Sequence, residues 1–465
     1  MSFESKRRAH PHRARRISRR RMLAESAAAP FALSSLVRAQ TAASAAWVWT
    51  GAVTATSAIV KARIVGTPND LHLQVDADEQ LSRATRFPIS ASMSPPGSGL
   101  ATFVADGLSP DTRYFYALAD GDRRLIAGEF RTFAGRAMSF KFAAASCAGG
   151  NMFSSISNHQ IFSIIEARKP LFMLHMGDMH YSNIGRNDIR AFRRAYDAVL
   201  TQPRQAALFR RTPIVYMWDD HDYGPDDSDR TSPARVASRR AYAETVPHYP
   251  LVLDNGNVTT IQQEFTGGRI RFIASDLRSE RDPTPLPDGP NKSSLGAAQR
   301  ERLFAAVQRA VDDGVPLVFW VSSVPWITRT GSPQDGWQPF AWERQAVSDR
   351  LDALGLTHRI VMLSGDAHMV AIDDGTNSNY ASRARPGERG FAVLQASPLD
   401  RSPSIKGGPY SHGVSDINHQ FGWVEVDDDG ETVQVTLSGL DRSGRQIRGM
   451  RLQLRCRNGV CEVMK

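Results

Sequence analysis

From Ser139 onward, short apolar runs alternate with stretches of helical periodicity, and this alternation constrains the fold more than any other feature of the sequence. Such a pattern is typical of an α/β domain in which helices cover a mostly parallel sheet. The helical patterns include residues 188–200 and 299–312, and a hairpin is predicted over 422–426 and 432–437. The strand candidates are residues 140–145, 171–175, 214–218, 270–275, 317–321, 360–363 and 391–395.

The preceding segment, from about Trp47 to Phe133, has a different character. Its short alternating runs are broken by Gly, Pro, Asn and Asp, which predicts an all-β region. Residues 107–116 resemble the tyrosine-corner segment of fibronectin type III sandwiches, and residues 128–133 resemble their last strand. We therefore expect a small immunoglobulin-like domain before the α/β domain.

Most of the excess positive charge lies at the amino-terminal end. The chain has a net charge of +9, and residues 1–39 contain ten Lys or Arg and two Glu, which is +8 of that total. The basic stretch is followed by a mostly small and apolar run and then by Val37-Arg38-Ala39, which is the order of an export signal. Residues 18–23, Ser-Arg-Arg-Arg-Met-Leu, resemble the twin-arginine motif.

The signal predicts export through the twin-arginine machinery to the periplasm or the medium. The alternative is a disordered basic tail that binds nucleic acid or an acidic surface. Because the rest of the chain is close to neutral, we expect no specific nucleic-acid partner. No stretch approaches the roughly 20 apolar residues of a transmembrane helix.

The three cysteines are too few for a disulfide framework. Cys456 and Cys461 flank an Asn-Gly turn, so two short strands there could carry a bridge in an oxidising compartment, and the sequence leaves this open. Cys147 then has no partner. It is either a buried small hydrophobe or a thiolate with a chemical role.

Polar clusters follow five of the predicted strands. Open α/β sheets bind ligands beyond the carboxyl ends of their strands, so these clusters point to one site. Several carboxylates meeting at one place would raise one another's pKa unless cations neutralised them, which predicts a metal centre. The clusters are Ser146-Cys147, residues 177–181 (Gly-Asp-Met-His-Tyr), 218–222 (Trp-Asp-Asp-His-Asp), 276–278 (Asp-Leu-Arg) and 364–368 (Ser-Gly-Asp-Ala-His).

The candidate ligands divide by donor type into two sets, which suggests two different ions. A trivalent or borderline metal such as iron suits thiolate, phenolate and imidazole, whereas the other ion would be bound by oxygen. Two ions about 4 Å apart can activate a water molecule and polarise a phosphate, so no protein nucleophile is required. The first set is Cys147, Tyr181 and His368, the second is Asp220 and Asp366, and Asp178 is the expected bridge.

Two further residues are candidates for contact with substrate. His221 follows a ligand carboxylate and could donate a proton to the departing oxygen. Arg278 would suit a bidentate contact to phosphate, although an ion pair with Asp276 is the alternative.

Taken together, these motifs resemble the PhoD-like (alkaline phosphatase D) family of metallophosphatases, from Trp47 to about Val435. The resemblance implies a four-layer αββα sandwich over residues 138–465 and an immunoglobulin-like domain over 46–135, which follow the twin-arginine-type signal peptide that the sequence itself predicts over 1–39. It implies hydrolysis of phosphate monoesters or diesters, on small or polymeric substrates, with ferric iron beside calcium. Iron would be bound by Cys147, Asp178, Tyr181 and His368, and the second ion by Asp178, Asp220 and Asp366.

The sequence also departs from the wider superfamily. The strand end at residues 321–326 has no His where a further ligand is usual, so the second ion would be weakly held or bound through water. Whether Asp219 or Asp220 is the ligand stays open, and Asp219, Asp222 and Asp276 are candidates for orienting the ligands or His221. The missing His leaves a second function open, a catalytically inactive surface protein that binds glycan or protein.

Overall fold

The fold is a mixed α/β structure built around two large sheets. A computed structural model describes residues 42–150, 154–328 and 335–464, so the signal peptide predicted over residues 1–39 lies outside the described residues. The strands are β1 (Ser44–Gly51), β2 (Ala58–Val65), β3 (Leu71–Asp76), β4 (Thr85–Pro88), β5 (Leu100–Ala105), β6 (Arg113–Asp120), β7 (Arg123–Arg131), β8 (Phe140–Ala145), β9 (Met173–Met176), β10 (Ile214–Met217), β11 (Val252–Asp254), β12 (Asn257–Thr260), β13 (Gln263–Gly267), β14 (Ile270–Ala274), β15 (Val318–Ser322), β16 (Ile360–Ser364), β17 (Val370–Asp373), β18 (Ala392–Ala396), β19 (Val414–Ser415), β20 (Phe421–Asp428), β21 (Val433–Leu440), β22 (Gln446–Arg457) and β23 (Val460–Val463).

Helices connect many of these strands. Within the described residues, none is long and apolar enough to cross a bilayer. The α-helices are α1 (Ile161–Ala167), α2 (Ile189–Leu200), α3 (Pro203–Arg211), α4 (Asp220–Tyr223), α5 (Arg235–Thr245), α6 (Ala297–Asp312) and α7 (Ala341–Ala353), and short 3-10 helices cover Ala91–Met93, Gln338–Phe340 and Thr357–Arg359.

The described part of the amino-terminal segment is all-β apart from one short 3-10 helix, as the alternating sequence predicts. Strands β4, β3, β6 and β7 form one sheet, while β1, β2 and β5 belong to the edge of the ten-stranded sheet. The Tyr114 hydroxyl accepts a hydrogen bond from the Ser109 backbone N–H at 2.8 Å, as in a tyrosine corner. Because β1 also pairs in parallel with β10, this region is hydrogen-bonded to the sheet that carries the site.

The two large sheets contain the strands predicted from the apolar runs. The ten-stranded sheet has the order β23-β22-β21-β20-β8-β9-β10-β1-β2-β5, and the seven-stranded sheet has the order β13-β14-β15-β16-β18-β17-β19. Strands β8, β9 and β10 run parallel to one another, and so do β14, β15, β16 and β18. Parallel strands end at a common edge, so the residues after them meet there.

A cluster of aromatic rings joins the two sheets. Phe142 of β8 stacks on Phe172 at 4.7 Å between ring centroids, and its ring also meets Phe272 of β14 at 5.7 Å and Phe319 of β15 at 5.4 Å. Such rings bury large apolar areas and prefer these stacked and edge-on geometries. The facing sheets therefore share one aromatic core.

Helical periodicity explains which helix faces are buried. In α2 the residues Phe192, Ala195, Tyr196 and Val199 are buried at the spacing of one helix face. The Asp188 carboxylate caps this helix by accepting from the first backbone N–H groups. Helix α6 has the same spacing of buried residues and packs, with α7, into the core cluster that includes alternate residues of β15 and β16.

The structure resolves the question of the cysteines. Cys456 and Cys461 form a disulfide between the paired strands β22 and β23. Cys147 is free and fully buried.

Candidate metal centre

Three of the predicted ligands occupy equivalent positions after their strands. Cys147, Asp178 and Asp366 each stand two residues beyond the last residue of β8, β9 and β16. All three have a left-handed backbone, with φ of 60°, 58° and 63°. Non-glycine residues rarely adopt this conformation, and it is concentrated at functional sites because it re-aims a side chain at a cost in strain.

The glycines before Asp178 and Asp366 allow close approach of neighbouring chain segments. A Cβ on Gly177 would lie 2.5 Å from the Cβ of Asp219, and one on Gly365 would lie 2.7 Å from the Met176 carbonyl oxygen. Both distances are closer than real Cβ contacts allow. Glycine is therefore required where these strand ends meet.

The side chains of the first predicted ligand set lie close together. The Asp178 Oδ2 atom accepts a 2.8 Å hydrogen bond from the Tyr181 hydroxyl and lies 3.6 Å from the Cys147 Sγ. The His368 Nε2 atom is 3.3 Å from the same hydroxyl. Ligand atoms of Cys147, Asp178 and His368 all lie within 4.8 Å of one another.

His368 presents its Nε2 atom to this group. Its Nδ1 atom is 2.8 Å from the Ser402 carbonyl, which can only accept, so Nδ1 has the proton. Burial, followed by the nearby Lys406 charge, lowers the pKa of His368 to about 4. The ring is therefore neutral at physiological pH, with the Nε2 lone pair directed at the centre.

Burial acts on the other members of the set in the opposite direction. It raises the pKa of the Asp178 carboxyl well above its ordinary value, and the charges of Asp220 and Asp219 add to the effect. Burial and Asp178 likewise raise the pKa of the Cys147 thiol and of the Tyr181 phenol. Only a bound cation would favour the ionised forms of all three in so buried a place.

The second ligand set lies beside the first and contains more carboxylates than the sequence predicts. Three overlapping groups have ligand atoms within 4.8 Å of one another. They are Asp178, Asp220 and His221; Asp219, Asp335 and Asp366; and Asp220, Asp227 and Asp335. Both Asp219 and Asp220 therefore face the cluster, and each remains a candidate ligand.

Unpaired oxygen atoms test whether the cluster fits metal ions. Asp178 Oδ1, Asp219 Oδ2 and Asp366 Oδ2 are each buried without a hydrogen-bond partner in the described structure. The other oxygen of each carboxylate does accept a hydrogen bond. Buried polar atoms are rarely left unsatisfied, so three such atoms in one cluster fit the donors of a metal site.

Arg278 is placed differently from the expectation. Its side chain is fully buried, and Nε donates to Asp219 Oδ1 at 2.5 Å while Nη2 bonds to Asp335. Asp276 accepts from the backbone N–H of Arg278 and not from its guanidinium, so the alternative ion pair is not what forms. Because this guanidinium is bonded to carboxylates and shielded from solvent, it orients those carboxylates. The structure therefore corrects the predicted contact of Arg278 with phosphate.

Asp222 and Asp276 bind backbone N–H groups. Asp222 accepts from Met179 at 3.1 Å and from His180 at 2.9 Å, which supports the turn that presents Asp178. Asp276 accepts from the Trp218 indole at 2.9 Å, next to Asp219. Each carboxylate therefore orients a segment that contains a candidate ligand.

His221 lies at the rim of the first set. Its ring centroid is 4.1 Å from that of Tyr181, and its Nδ1 atom is 2.6 Å from Asn183 Oδ1. At the strand end without the expected His, the Ser323 hydroxyl donates to Asp219 Oδ1 at 2.7 Å. A hydroxyl thus contacts the cluster at that strand end.

Two residues that the sequence does not reveal belong to the site. Asp335 accepts from both Arg278 and Arg281, and Lys406 Nζ lies 2.6 Å from Asp366 Oδ1. Although burial raises the pKa of Asp335, the two arginines lower it overall. Neither Asp335 nor Lys406 lies in a motif or directly after a strand, so no local signal marks them.

Known phosphatases are similar to this chain in sequence pattern and in fold. The model of the PhoD-like phosphatase family matches residues 142–438. A solved structure of PhoD superposes with a TM-score of 0.69 at 17% identity, covering 90% of this chain and 92% of that one. The purple acid phosphatase PPD1 of yellow lupin (Lupinus luteus) superposes with a TM-score of 0.62 at 11% identity, covering 88% and 74%. No curated protein matches in direct sequence comparison.

Proposed function

Because this chain belongs to the PhoD-like phosphatase family, we propose that it is an exported metal-dependent phosphoesterase that hydrolyses phosphate monoesters, diesters or both. The observation that carries the proposal is the convergence of Cys147, Asp178, Tyr181 and His368 beside carboxylates that have unpaired oxygens. Metal ions held by such a donor set can activate water to hydrolyse a phosphoric ester, so no protein nucleophile is required.

We propose ferric iron and calcium as the two ions. Thiolate, phenolate and imidazole in the first set suit iron, and Cys147, Asp178, Tyr181 and His368 would hold it. Carboxylate oxygens alone suit calcium, and Asp178, Asp220 and Asp366 would hold that ion, with Asp219 and Asp335 beside them. When bound, such ions lower the pKa of water and polarise a phosphoryl oxygen.

The chain's own residues prepare the site for this chemistry. Arg278 holds Asp219 in one orientation, and the Ser402 carbonyl keeps the Nε2 atom of His368 unprotonated. His221 is proposed to donate a proton to the departing oxygen. Because Asn183 Oδ1 can only accept, Nδ1 has a proton, and Nε2 would donate only from the doubly protonated imidazolium, which the Asp226 carboxylate 3.3 Å from Nε2 would favour.

The location and the domain limits are also proposals. Residues 1–39 would direct the folded protein through twin-arginine export to the periplasm or the medium. Residues 46–135 would form the immunoglobulin-like domain and residues 138–465 the catalytic domain. The packing of α6 and α7 with the seven-stranded sheet supports a four-layer αββα arrangement for the latter.

Turnover of a chromogenic phosphate monoester and diester tests the proposal. We expect the metal-loaded protein to hydrolyse at least one of them and Asp178→Asn to lose more than about 100-fold in kcat/KM. Changes to residues that only orient ligands already cost about 10- to 100-fold. The control is Asp427→Asn, an exposed carboxylate at the opposite edge of the sheet.

Two outcomes would reject the proposal. Turnover that is unchanged in Asp178→Asn would place the chemistry elsewhere. Absence of turnover of both esters by metal-loaded protein would favour the inactive binding protein.

A further inference from the structure

The loop after β18 is tied to the metal centre by backbone hydrogen bonds. The Asp400 N–H donates to the Cys147 carbonyl at 3.1 Å, and the Ser404 N–H donates to the His368 carbonyl at 3.1 Å. The Ser402 carbonyl in turn accepts from His368 Nδ1. This loop, residues 399–406, is therefore positioned by two of the predicted ligands.

The loop brings a partly exposed cation to the carboxylates. Lys406 Nζ lies 2.6 Å from Asp366 Oδ1, and the lysine side chain keeps 28% of its surface accessible. The guanidinium groups of Arg278 and Arg281 in the same cluster are buried, with side chains 0% and 1% exposed. Lys406 is thus able to meet a molecule arriving from solvent while the two arginines are enclosed.

A second cation from the same loop covers the other ligand set. The Arg401 guanidinium lies 4.0 Å from the ring centroid of Tyr181, and its Nη1 atom donates to the Gly150 carbonyl at 3.4 Å. Its Nε atom is buried and has no hydrogen-bond partner in the described structure. Arg401 therefore has a donor still to be satisfied beside the phenol that contacts Asp178.

Neither cation is required to neutralise the unpaired carboxylate oxygens. Lys406 contacts Oδ1 of Asp366, whereas Oδ2 is the atom without a partner. The two oxygens can therefore serve different partners at once, an ion on one side and the ammonium group on the other. A phosphate ester approaching a cluster rich in carboxylates would be repelled by them, and cations at the rim offset that repulsion.

We infer that Lys406 and Arg401 bind the non-bridging oxygens of the substrate phosphoryl group, and that they favour a dianionic monoester over a monoanionic diester. The inference rests on the proposed phosphoesterase function and assigns the phosphate contact to this loop in place of Arg278. Lys406 contributes an ammonium group with three donors, and Arg401 contributes a planar guanidinium group suited to oxyanions.

The test compares Lys406→Gln, Lys406→Arg and a matched control in the full-length, metal-loaded protein. The control is Lys141→Gln, because Lys141 is also paired with a carboxylate, Glu425 at 2.5 Å, but lies at the opposite end of β8 from Cys147. For each variant the inhibition constant of inorganic phosphate, kcat and KM for a monoester and a diester, and the iron and calcium contents are measured.

We expect Lys406→Gln to weaken inorganic phosphate binding by about 10- to 100-fold, the range for a hydrogen bond to a charged group. Its kcat/KM should fall more for the monoester than for the diester, since the dianion loses more attraction. Lys406→Arg should recover most of the loss, and Lys141→Gln should behave like the wild type. Arg401→Gln should also weaken the binding of inorganic phosphate.

Three results would overturn the inference. The first is an inhibition constant of inorganic phosphate that is unchanged in Lys406→Gln. The second is an equal loss of kcat/KM for the monoester and the diester, and the third is a loss of iron or calcium that accounts for the weaker phosphate binding. Calorimetric titration of inorganic phosphate separates this failure from that of the proposed function. If the wild type hydrolyses neither ester, phosphate binding that is weakened in Lys406→Gln still supports the inference, and unaltered or absent binding overturns it.

Discussion

Removal of the buried guanidinium should reveal how strongly the carboxylate cluster depends on a protein cation. Arg278→Met keeps a long side chain in the same space but leaves Asp219 and Asp335 without the group that bonds to both. Breaking a buried ion pair from one side costs about 3–5 kcal/mol when the remaining charge stays buried and uncompensated. Asp335 keeps Arg281 as a partner, whereas Asp219 keeps the uncharged Ser323 hydroxyl, so most of the loss is expected to come from Asp219. We therefore expect a loss of about 3–5 kcal/mol in the free energy of unfolding when no metal is present.

Calcium should reverse part of that loss. An ion that binds only the folded protein adds about 2.7 kcal/mol of stability at 100 times its dissociation constant. Because the variant lacks one positive charge of the cluster, its carboxylates attract calcium more strongly, and we expect this to outweigh the looser orientation of Asp219, so the variant should bind calcium more tightly than the wild type. The difference in stability between the two proteins should then shrink as calcium is added.

Urea unfolding with and without calcium measures both effects. The control is Arg113→Met, because the Arg113 side chain is 58% exposed and its ion pair with Glu129 should contribute only about 0–1 kcal/mol. A loss in Arg278→Met that is no larger than in the control, or that is the same with and without calcium, would refute the reasoning.

Three further predictions concern other parts of the molecule. Phe142→Ala should cost about 3–5 kcal/mol of unfolding free energy, because it removes the central ring between the sheets, and urea unfolding measures it. Burial lowers the pKa of Lys61 to about 7, so between pH 7 and about 10.4 only the unfolded state keeps this proton. The free energy of unfolding, measured relative to Lys61→Met, should therefore rise by about 1.4 kcal/mol per pH unit in that range. Replacing Cys456 and Cys461 by Ser should lower the free energy of unfolding, measured in urea, by about 2 kcal/mol. The loss is small because a disulfide that closes so short a loop removes little entropy from the unfolded chain.

The positions of the strands could be predicted because apolar runs bounded by turn residues form strands with nearly the same first and last residues. The run at residues 140–145 is β8 itself, and the run at 360–363 is β16 short of one residue. The candidate ligands that follow such strands closely, such as Cys147 and Asp366, could be predicted for the same reason. Their positions depend on the edge of the sheet and not on distant loops.

The remaining residues of the site could not be predicted from local patterns. Asp335 meets Arg278 across 57 residues of sequence, and Lys406 meets Asp366 across 40. Asp335 and Lys406 lie in long connections whose conformation is determined by tertiary packing. The periodicity of the sequence does not indicate that conformation. The same limit explains Arg278, whose residue type suits phosphate although burial among carboxylates gives it another partner.

The metal content of the protein, purified from an exporting host without added metal, tests the central claim most directly when it is paired with a visible absorption spectrum. We predict about one iron per chain and a charge-transfer band that disappears in Tyr181→Phe, because the phenolate beside Asp178 would be an iron ligand. Zinc alone would reject the iron assignment. Protein that binds no metal would contradict the account.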